Sequence, residues 1–165
     1  MGAIPSAAQR VVEAADREGL AVEVREFPEG TRTARDAAAA VGVDVGQIVK
    51  SLAFEVDGTI VIALVSGKNR LDEGQLAEAA GASTASVRRA NPDAVRAATG
   101  FAIGGVPPFG HENWLRIFVD KDLLAYGEVW AAAGTPRHVF AIAPDDLVRV
   151  SGGQVWPDLG VPEQE

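Results

Sequence analysis

The sequence contains no cysteine among its 165 residues, so it offers neither a disulfide framework nor a thiolate for catalysis or metal binding. No apolar run approaches the roughly 18 residues that a membrane-spanning helix needs. The N-terminal segment lacks a basic stretch followed by an apolar one, so we expect no signal peptide and a soluble, cytoplasmic protein. No repeat or linker divides the chain, and its length favours a single domain over residues 1–165.

Several common catalytic motifs are also absent. The sequence has no GxSxG, which disfavours a Ser-His-Asp hydrolase. It has no HExxH either, and its two histidines, His111 and His138, stand far apart, which is weak support for a metal site. The segment SGKN resembles part of a phosphate-binding loop, but Ile62 stands where the first glycine belongs and Asn69 replaces the final Ser or Thr. We therefore predict neither a metal nor a cofactor.

Positive charge is scarce but unevenly distributed. The formal net charge of −8 argues against a protein that coats nucleic acid through its overall field, and we expect no DNA partner. A negative net charge is nevertheless compatible with a local pocket that binds one nucleotide end. The basic residues of the middle third are Lys50, Lys68, Arg70, Arg88, Arg89 and Arg96. The last six residues, 160–165, contain two glutamates and are predicted to form a loose tail.

The strongest local signal is a hairpin. The segment IVKSLAFEVDGTIVIALVSG contains two strand-like runs on either side of Asp57-Gly58, the residue pair typical of a two-residue turn. Further strands are predicted at 20–27, 114–120 and 137–143.

Helices are predicted where capping residues precede amphipathic segments. The expected caps are Ser6, Thr33, Asp72 and Asn91. Segment 121–134 is predicted to be at least partly helical, and 144–153 to be a short helix or turn. Because these elements are mixed along the chain and the hairpin requires antiparallel pairing, the predicted fold class is mixed α/β.

Lys50 is the most informative single residue. Residues two apart in a strand share a face, so Lys50 lies among apolar side chains. Those predicted companions are Ile48, Leu52, Phe54 and Val56. Such a lysine either extends its amine to the edge of the sheet or directs it at an anionic or carbonyl group of a ligand. Ser51 points to the other face, so a Ser-Lys nucleophile pair is disfavoured.

The segment GGVPPFG, residues 104–110, is the second candidate feature. Gly104 and Gly105 would let backbone N–H groups approach a ligand oxygen, and Pro107-Pro108 would hold that edge stiff. Preorganised donors of this kind suit an oxyanion hole. The alternative is a tight connection, with or without a cis proline. His138 follows a turn and either faces a pocket or serves as a structural hydrogen-bonding group.

Four segments, taken together and in order, resemble the YbaK/EbsC family of aminoacyl-tRNA editing domains. They are TARDAAAAVGVDVGQIVKSLAF, VIALVSGKNRLD, FAIGGVPPFGH and HVFAIAPDDLVRVSGG, which span roughly residues 31–153. The family includes the insertion domain of bacterial prolyl-tRNA synthetases and free-standing deacylases of mischarged tRNA. The resemblance implies a strongly curved mixed sheet of about seven strands surrounded by helices.

The implied activity is metal-independent hydrolysis, in trans, of the ester that joins a wrong small amino acid to the 3′-terminal adenosine of a tRNA, with tRNA(Pro)-type substrates favoured. The implied catalytic residues are Lys50, Gly104, Gly105 and His138. The candidate substrate-binding residues are Phe27, Thr31, Ser51, Val106, Pro107 and Pro108. In this scheme Lys50 anchors the terminal phosphate or the ester, amides near Gly104 and Gly105 hold the developing oxyanion, and His138 orients substrate or water.

The partner implied by the resemblance is the 3′ end of a mischarged tRNA, with an aminoacyl-tRNA synthetase or an elongation factor as a further candidate, and no membrane. Two alternatives share the same residues. One is a non-catalytic module that binds a ligand or nucleotide and acts through a protein partner. The other is a hydrolase of different small acyl esters.

Overall fold

The structure is a computed structural model that describes residues 4–27 and 33–163. Within these ranges lie α1 (Ser6–Arg17), α2 (Ala34–Val41), α3 (Glu73–Ala80), α4 (Pro92–Thr99) and α5 (Pro144–Ser151). The strands are β1 (Val24–Glu26), β2 (Val49–Val56), β3 (Thr59–Ser66), β4 (Asn69–Leu71), β5 (Val87–Arg89), β6 (Arg116–Asp120), β7 (Val129–Ala132), β8 (His138–Ile142), β9 (Gln154–Trp156) and β10 (Gly160–Pro162). No helix in the described ranges has the length and apolar character needed to cross a membrane.

The strands form a five-stranded sheet in the order β5-β2-β3-β6-β9, a three-stranded sheet β1-β8-β7 and a two-stranded sheet β10-β4. The large sheet is mixed, because β2 pairs antiparallel with β3 and β5 whereas β6 pairs parallel with β3 and β9. The mixed α/β class is confirmed. The strands are divided among three sheets, however, because β7 reaches β2 only through one parallel bridge between Ile48 and Trp130.

The predicted hairpin is present, and its two strands, β2 and β3, lie in the middle of the large sheet. Asp57 and Gly58 adopt φ angles of 51° and 79°, the left-handed values that a two-residue turn with the twist of the strands requires. Residues 61–66 of β3 are all buried, since core side chains cover both faces of this central strand. Because β2 pairs with β3 along its whole length, the position of Lys50 is fixed by the best-supported part of the sheet.

Three of the four predicted helix caps are confirmed. The side chains of Thr33, Asp72 and Asn91 each accept a hydrogen bond from the backbone N–H three residues later. The prediction for Ser6 is wrong. Pro5 occupies the cap position of α1 with no side-chain hydrogen bond, and Ser6 is already the first helical residue. Because the proline side chain has no hydrogen-bond acceptor, the first N–H groups of α1 receive no side-chain cap.

Two segments differ from their predicted structure. Residues 121–125 form a short 3₁₀ helix, but 129–132 are strand β7, because the apolar residues there pair with β8 instead of continuing a helix. The expected tail is also partly ordered, since Gly160–Pro162 pair with β4 and the Glu163 N–H donates to the Lys68 carbonyl. The charged composition of this terminus concealed a strand that is held by backbone hydrogen bonds.

Candidate active site

A cavity of about 590 Å³ opens between the large sheet and the β7–β8 pair. Its walls come from the first turn of α2 (33–37), the start of β2 (48–52), the loop 103–106 and the β7–β8 connection (131–139). These segments are far apart in sequence, so the cavity is created only by the tertiary fold. It is large enough for a nucleoside-sized ligand.

An unpaired strand edge forms part of this cavity. On the side away from β3, β2 pairs with β5 only over Phe54–Val56, and its bridge to β7 is at Ile48. Residues 50–52 therefore have no strand partner on that side within the described part of the chain. The Ala53 carbonyl accepts from the Ala90 N–H on the β5 side. Because backbone groups two residues apart point to the same edge, the N–H and C=O of Ser51 face the gap.

Lys50 projects from β2 at the wall of this cavity. Its side chain is half-buried and its Nζ donates to the Asn69 carbonyl. Burial lowers the pKa of the amine below its ordinary value of 10.5. The carboxylates of Glu163 and Asp120 oppose that shift, and Arg89 adds to it. Lys50 also lines the cavity.

A buried polar cluster, which the sequence did not reveal, holds the carbonyl that Lys50 contacts. Asp120 is 1% exposed, and its carboxylate accepts from the backbone N–H of Ser66 at 3.0 Å and from Asn69 Nδ2 at 2.9 Å. Asn69 Nδ2 also donates to Asp122 at 2.8 Å. These contacts fix Asn69, and through it the Lys50 amine. An aspartate at the end of an apolar strand was the available signal, but its partner is about fifty residues away in sequence.

The cavity concentrates positive charge. The described lining residues include three cationic side chains and one carboxylate. The cations are Arg35, Lys50 and Arg89, and the carboxylate is that of Glu163. This excess of cations is opposite in sign to the chain's net charge of −8. A cavity of one sign focuses the local field, so it favours an anionic ligand even though the whole protein repels one.

The glycine loop forms one wall. Gly104 lines the cavity with φ +89°, and Gly105 is buried behind it. A Cβ on Gly105 would lie 2.7 Å from Thr135 Cα and 2.8 Å from the Gly134 carbonyl oxygen, so only glycine permits this close approach. The Gly105 N–H donates to the Ala102 carbonyl at 3.0 Å, whereas the amides of Gly104 and Val106 have no partner in the ranges described.

The rest of this loop supports the wall from behind. Val106 lines the cavity, but Pro107 and Pro108 are buried away from it, and both follow trans peptide bonds. The Pro107 carbonyl accepts from His111 Nε2 at 2.8 Å. His111 therefore braces the loop and does not line the cavity.

The buried position of His111 predicts a pH-dependent stability. Burial lowers the pKa of His111 below its ordinary value of 6.5, partly opposed by the hydrogen bond to Pro107. Between the folded and unfolded pKa values the unfolded chain binds more protons. The stability that neutral His111 contributes is therefore fully present above pH 6.5, the pKa of the unfolded chain. The free energy of unfolding then falls as the pH drops from there through the lower pKa of the folded protein. Urea unfolding of wild type and His111→Gln, at about pH 7.5 and pH 5, should show a smaller acid loss in the variant. Equal losses would contradict this account.

His138 is 5% exposed and lines the cavity, but both of its ring nitrogens are engaged. Nδ1 lies 2.5 Å from Thr135 Oγ1, and Nε2 lies 3.1 Å from Glu26 Oε2. Glu26 and His138 are direct partners across the β1–β8 pair, which explains why these side chains meet. The predicted position of His138 at a pocket wall agrees with this arrangement, while Thr135 and Glu26 were not predicted.

The remaining candidates are distributed differently. Ser51 lines the cavity, and its buried hydroxyl has no hydrogen-bond partner in the described structure. Phe27 is not a lining residue. It packs behind the wall against a small cluster that includes Ile48 and Val139. Thr31 lies outside the described residues. Within those residues, no group of three His, Asp or Glu side chains is arranged to hold a metal ion.

Comparison with known proteins relates this geometry to a family. The family model described as "Aminoacyl-tRNA editing domain" matches residues 28–150. The uncharacterized protein YwhH of Bacillus subtilis (strain 168) is 31% identical over 138 residues, covering 83% of this chain and 86% of that protein. The proline–tRNA ligase of Nitratidesulfovibrio vulgaris (strain DP4) is 36% identical over 130 residues, which are 79% of this chain but 22% of the ligase.

A solved structure agrees over nearly the full length. It is the crystal structure of a proposed trans-editing enzyme for prolyl tRNA synthetase, with a TM-score of 0.88, 47% identity, and coverage of 98% of this chain and 100% of that one. The family match spans α2, the hairpin, the glycine loop and β8, which together carry most of the cavity wall. The chain therefore belongs to the aminoacyl-tRNA editing domain family, as its sequence segments predicted.

Proposed function

We propose that this protein is a free-standing deacylase that hydrolyses the ester of a mischarged small amino acid on a tRNA 3′ end. The observation that carries the proposal is the cavity itself, in which Lys50 and two arginines concentrate positive charge in an acidic protein. A nucleotide end supplies the complementary phosphate. A tRNA substrate of this kind also accounts for the expected cytoplasmic location.

The described groups suit attack of water on an ester carbonyl. Lys50 would bind the 3′-terminal phosphate or the ester region from one wall. Across the cavity, the amides of Gly104 and Val106, which have no partner among the described residues, would stabilise the oxyanion that forms when water adds to the carbonyl carbon. The Gly105 N–H is already bonded to Ala102, so Gly105 would contribute through close packing.

Selection of a small amino acid would come from the limited space that the wall side chains leave for the amino acid. Ala131, Ala132, Val106 and Val139 present small apolar side chains to the space next to the glycine loop. Walls held by a packed core reject an oversized group well, whereas they discriminate poorly among groups that all fit. We therefore expect the walls to exclude large amino acids, with the tRNA or a partner protein narrowing the choice among the small ones.

The relationship to proline–tRNA ligase suggests the biological setting. The matched segment forms 22% of that ligase, so a region like this chain exists there within a larger enzyme. As a separate protein of net charge −8, this chain would bind the body of a tRNA weakly on its own. A synthetase or an elongation factor is therefore the kind of partner we propose would deliver the tRNA.

The test is deacylation of tRNAs charged with Ala, Cys, Ser, Thr or Pro, compared with their spontaneous hydrolysis. We expect rapid loss of one or two small amino acids and slow loss of the others. If none of the five is hydrolysed above the spontaneous rate, the deacylase proposal fails for these substrates and the non-catalytic binding module is favoured.

A further inference from the structure

The hydrogen-bond chain from Glu26 through His138 to Thr135 has no role in the function proposed above. Its two links measure 3.1 and 2.5 Å, and the histidine between them is almost completely buried. Thr135 and His138 line the cavity, whereas the Glu26 side chain is 58% exposed. This hydrogen-bond chain runs from a carboxylate in solvent to a hydroxyl group in the cavity, so the donor and the acceptor in each link can be assigned.

The direction follows from what each group can donate. A carboxylate only accepts hydrogen bonds, so in the neutral imidazole Nε2 carries the hydrogen and donates to Glu26. Nδ1 is then an acceptor, and the Thr135 hydroxyl must donate its hydrogen to it. One lone pair of Thr135 Oγ1 accepts from the Arg137 N–H at 3.1 Å. The second lone pair has no partner in the described structure.

Thr135 therefore offers the cavity a hydrogen-bond acceptor and no donor. The Glu26 carboxylate places a negative charge at the far end of this hydrogen-bond chain, whereas Lys50 and Arg89 carry positive charge. Thr135 and Lys50 come from different parts of the fold, since Thr135 lies in the connection between β7 and β8 while Lys50 lies in β2 of the large sheet. The cavity thus combines a cationic region with a separate acceptor that is backed by an anion.

We propose that the Thr135 hydroxyl accepts a hydrogen bond from the α-ammonium group of the bound amino acid, with His138 and Glu26 as positioning residues. The inference rests on the proposed function, because it assumes an aminoacylated nucleotide as the ligand. An α-ammonium group has three donors and a positive charge, which match the free lone pair and the anionic chain. The phosphate of the same ligand would lie toward Lys50.

Two stable probes test this at neutral pH without any turnover. They are 3′-amino-3′-deoxyadenosine 5′-monophosphate acylated on its 3′-nitrogen with alanine or with propionic acid, which differ only in the α-amino group. Calorimetry should show that wild type binds the alanyl probe about tenfold to a hundredfold more tightly, the range expected for one hydrogen bond to a charged group. Thr135→Val should reduce this ratio to near one while binding of the propionyl probe stays the same.

Further variants separate this role from a structural one. Thr135→Ser retains the hydroxyl and should restore the preference for the alanyl probe. Thr59→Val is a matched control, because Thr59 is exposed at the hairpin turn, and it should keep the wild-type ratio. Glu26→Gln should lower the ratio in wild type but not in Thr135→Val, since the two residues act through one chain.

The outcomes for the two proposals are distinguishable. An unchanged probe ratio in Thr135→Val, or an equal loss of affinity for both probes, would overturn the assignment of Thr135. Absence of tRNA deacylation together with a Thr135-dependent preference for the alanyl probe would overturn the deacylase proposal and leave this inference standing. If neither probe binds to wild type, the assignment of Thr135 fails, while the deacylation assay still decides the deacylase proposal.

Discussion

Lys50→Ala should reduce the rate of deacylation about a hundredfold to a thousandfold, the loss that removal of one preorganised electrostatic group produces. The amine is held between the Asn69 carbonyl and the cavity, and no other lysine lines the cavity among the described residues. Arg35 and Arg89 remain in the variant, so attraction of the phosphate is weakened but not abolished. The variant loses the cation that Lys50 places at this point of the wall. Single-turnover deacylation of a mischarged tRNA measures the effect directly.

Two controls give this prediction its meaning. Lys121→Ala removes the same charge from an exposed position outside the cavity, and it should retain wild-type activity. Lys50→Met keeps an apolar stem of similar length and should be as inactive as Lys50→Ala while its thermal unfolding stays close to that of wild type. Activity of Lys50→Met near the wild-type level would show that the stem, rather than the cation, is what the site needs.

Gly105→Ala should destabilise the protein by about 3 kcal/mol, the upper part of the usual range for overpacking. The new methyl group would meet backbone atoms of Gly134 and Thr135 at 2.7–2.9 Å, and backbone cannot rotate away as a side chain can. Relief of the clash must move the glycine loop away from the β7–β8 connection, so deacylation should fall as well. Chemical denaturation and the deacylation assay measure the two effects.

Gly127→Ala is the matched control for this substitution. An added Cβ at Gly127 would have no neighbour within 4 Å, and its φ is not in the left-handed region. The free energy of unfolding should therefore change by less than about 0.5 kcal/mol. If Gly105→Ala proved as mild as Gly127→Ala, the close packing of the two walls would not be required for stability.

The features predicted from sequence are those fixed by neighbouring residues. The Asp57-Gly58 turn and the caps at Thr33 and Asn91 depend on contacts within a few residues, and all three are present. The alternating pattern also placed Lys50 correctly as a buried-face cation in a strand. Ser6 failed as a cap because Pro5 takes that position, a choice that the spacing of polar residues does not reveal.

The features that sequence could not supply depend on distant pairing. Glu26 reaches His138 only because β1 pairs with β8, across more than a hundred residues. Asp120 reaches Asn69 in the same way, through the packing of β6 against the hairpin. The sequence also could not show that the Gly105 amide is already used within its own turn. Such contacts follow from the register of the sheets, which short-range patterns do not determine.

The edge of β2 that lacks a strand partner among the described residues has a consequence for solubility. A strand edge with free N–H and C=O groups is a template on which another chain can add, and proteins usually cover or charge such edges to prevent aggregation. Here residues 50–52, which have no strand partner on that side among the described residues, line the cavity together with residues of the glycine loop. Because this edge lies within a cavity wall and not on an open face, we expect damage to the glycine loop to promote self-association as well as to alter the pocket.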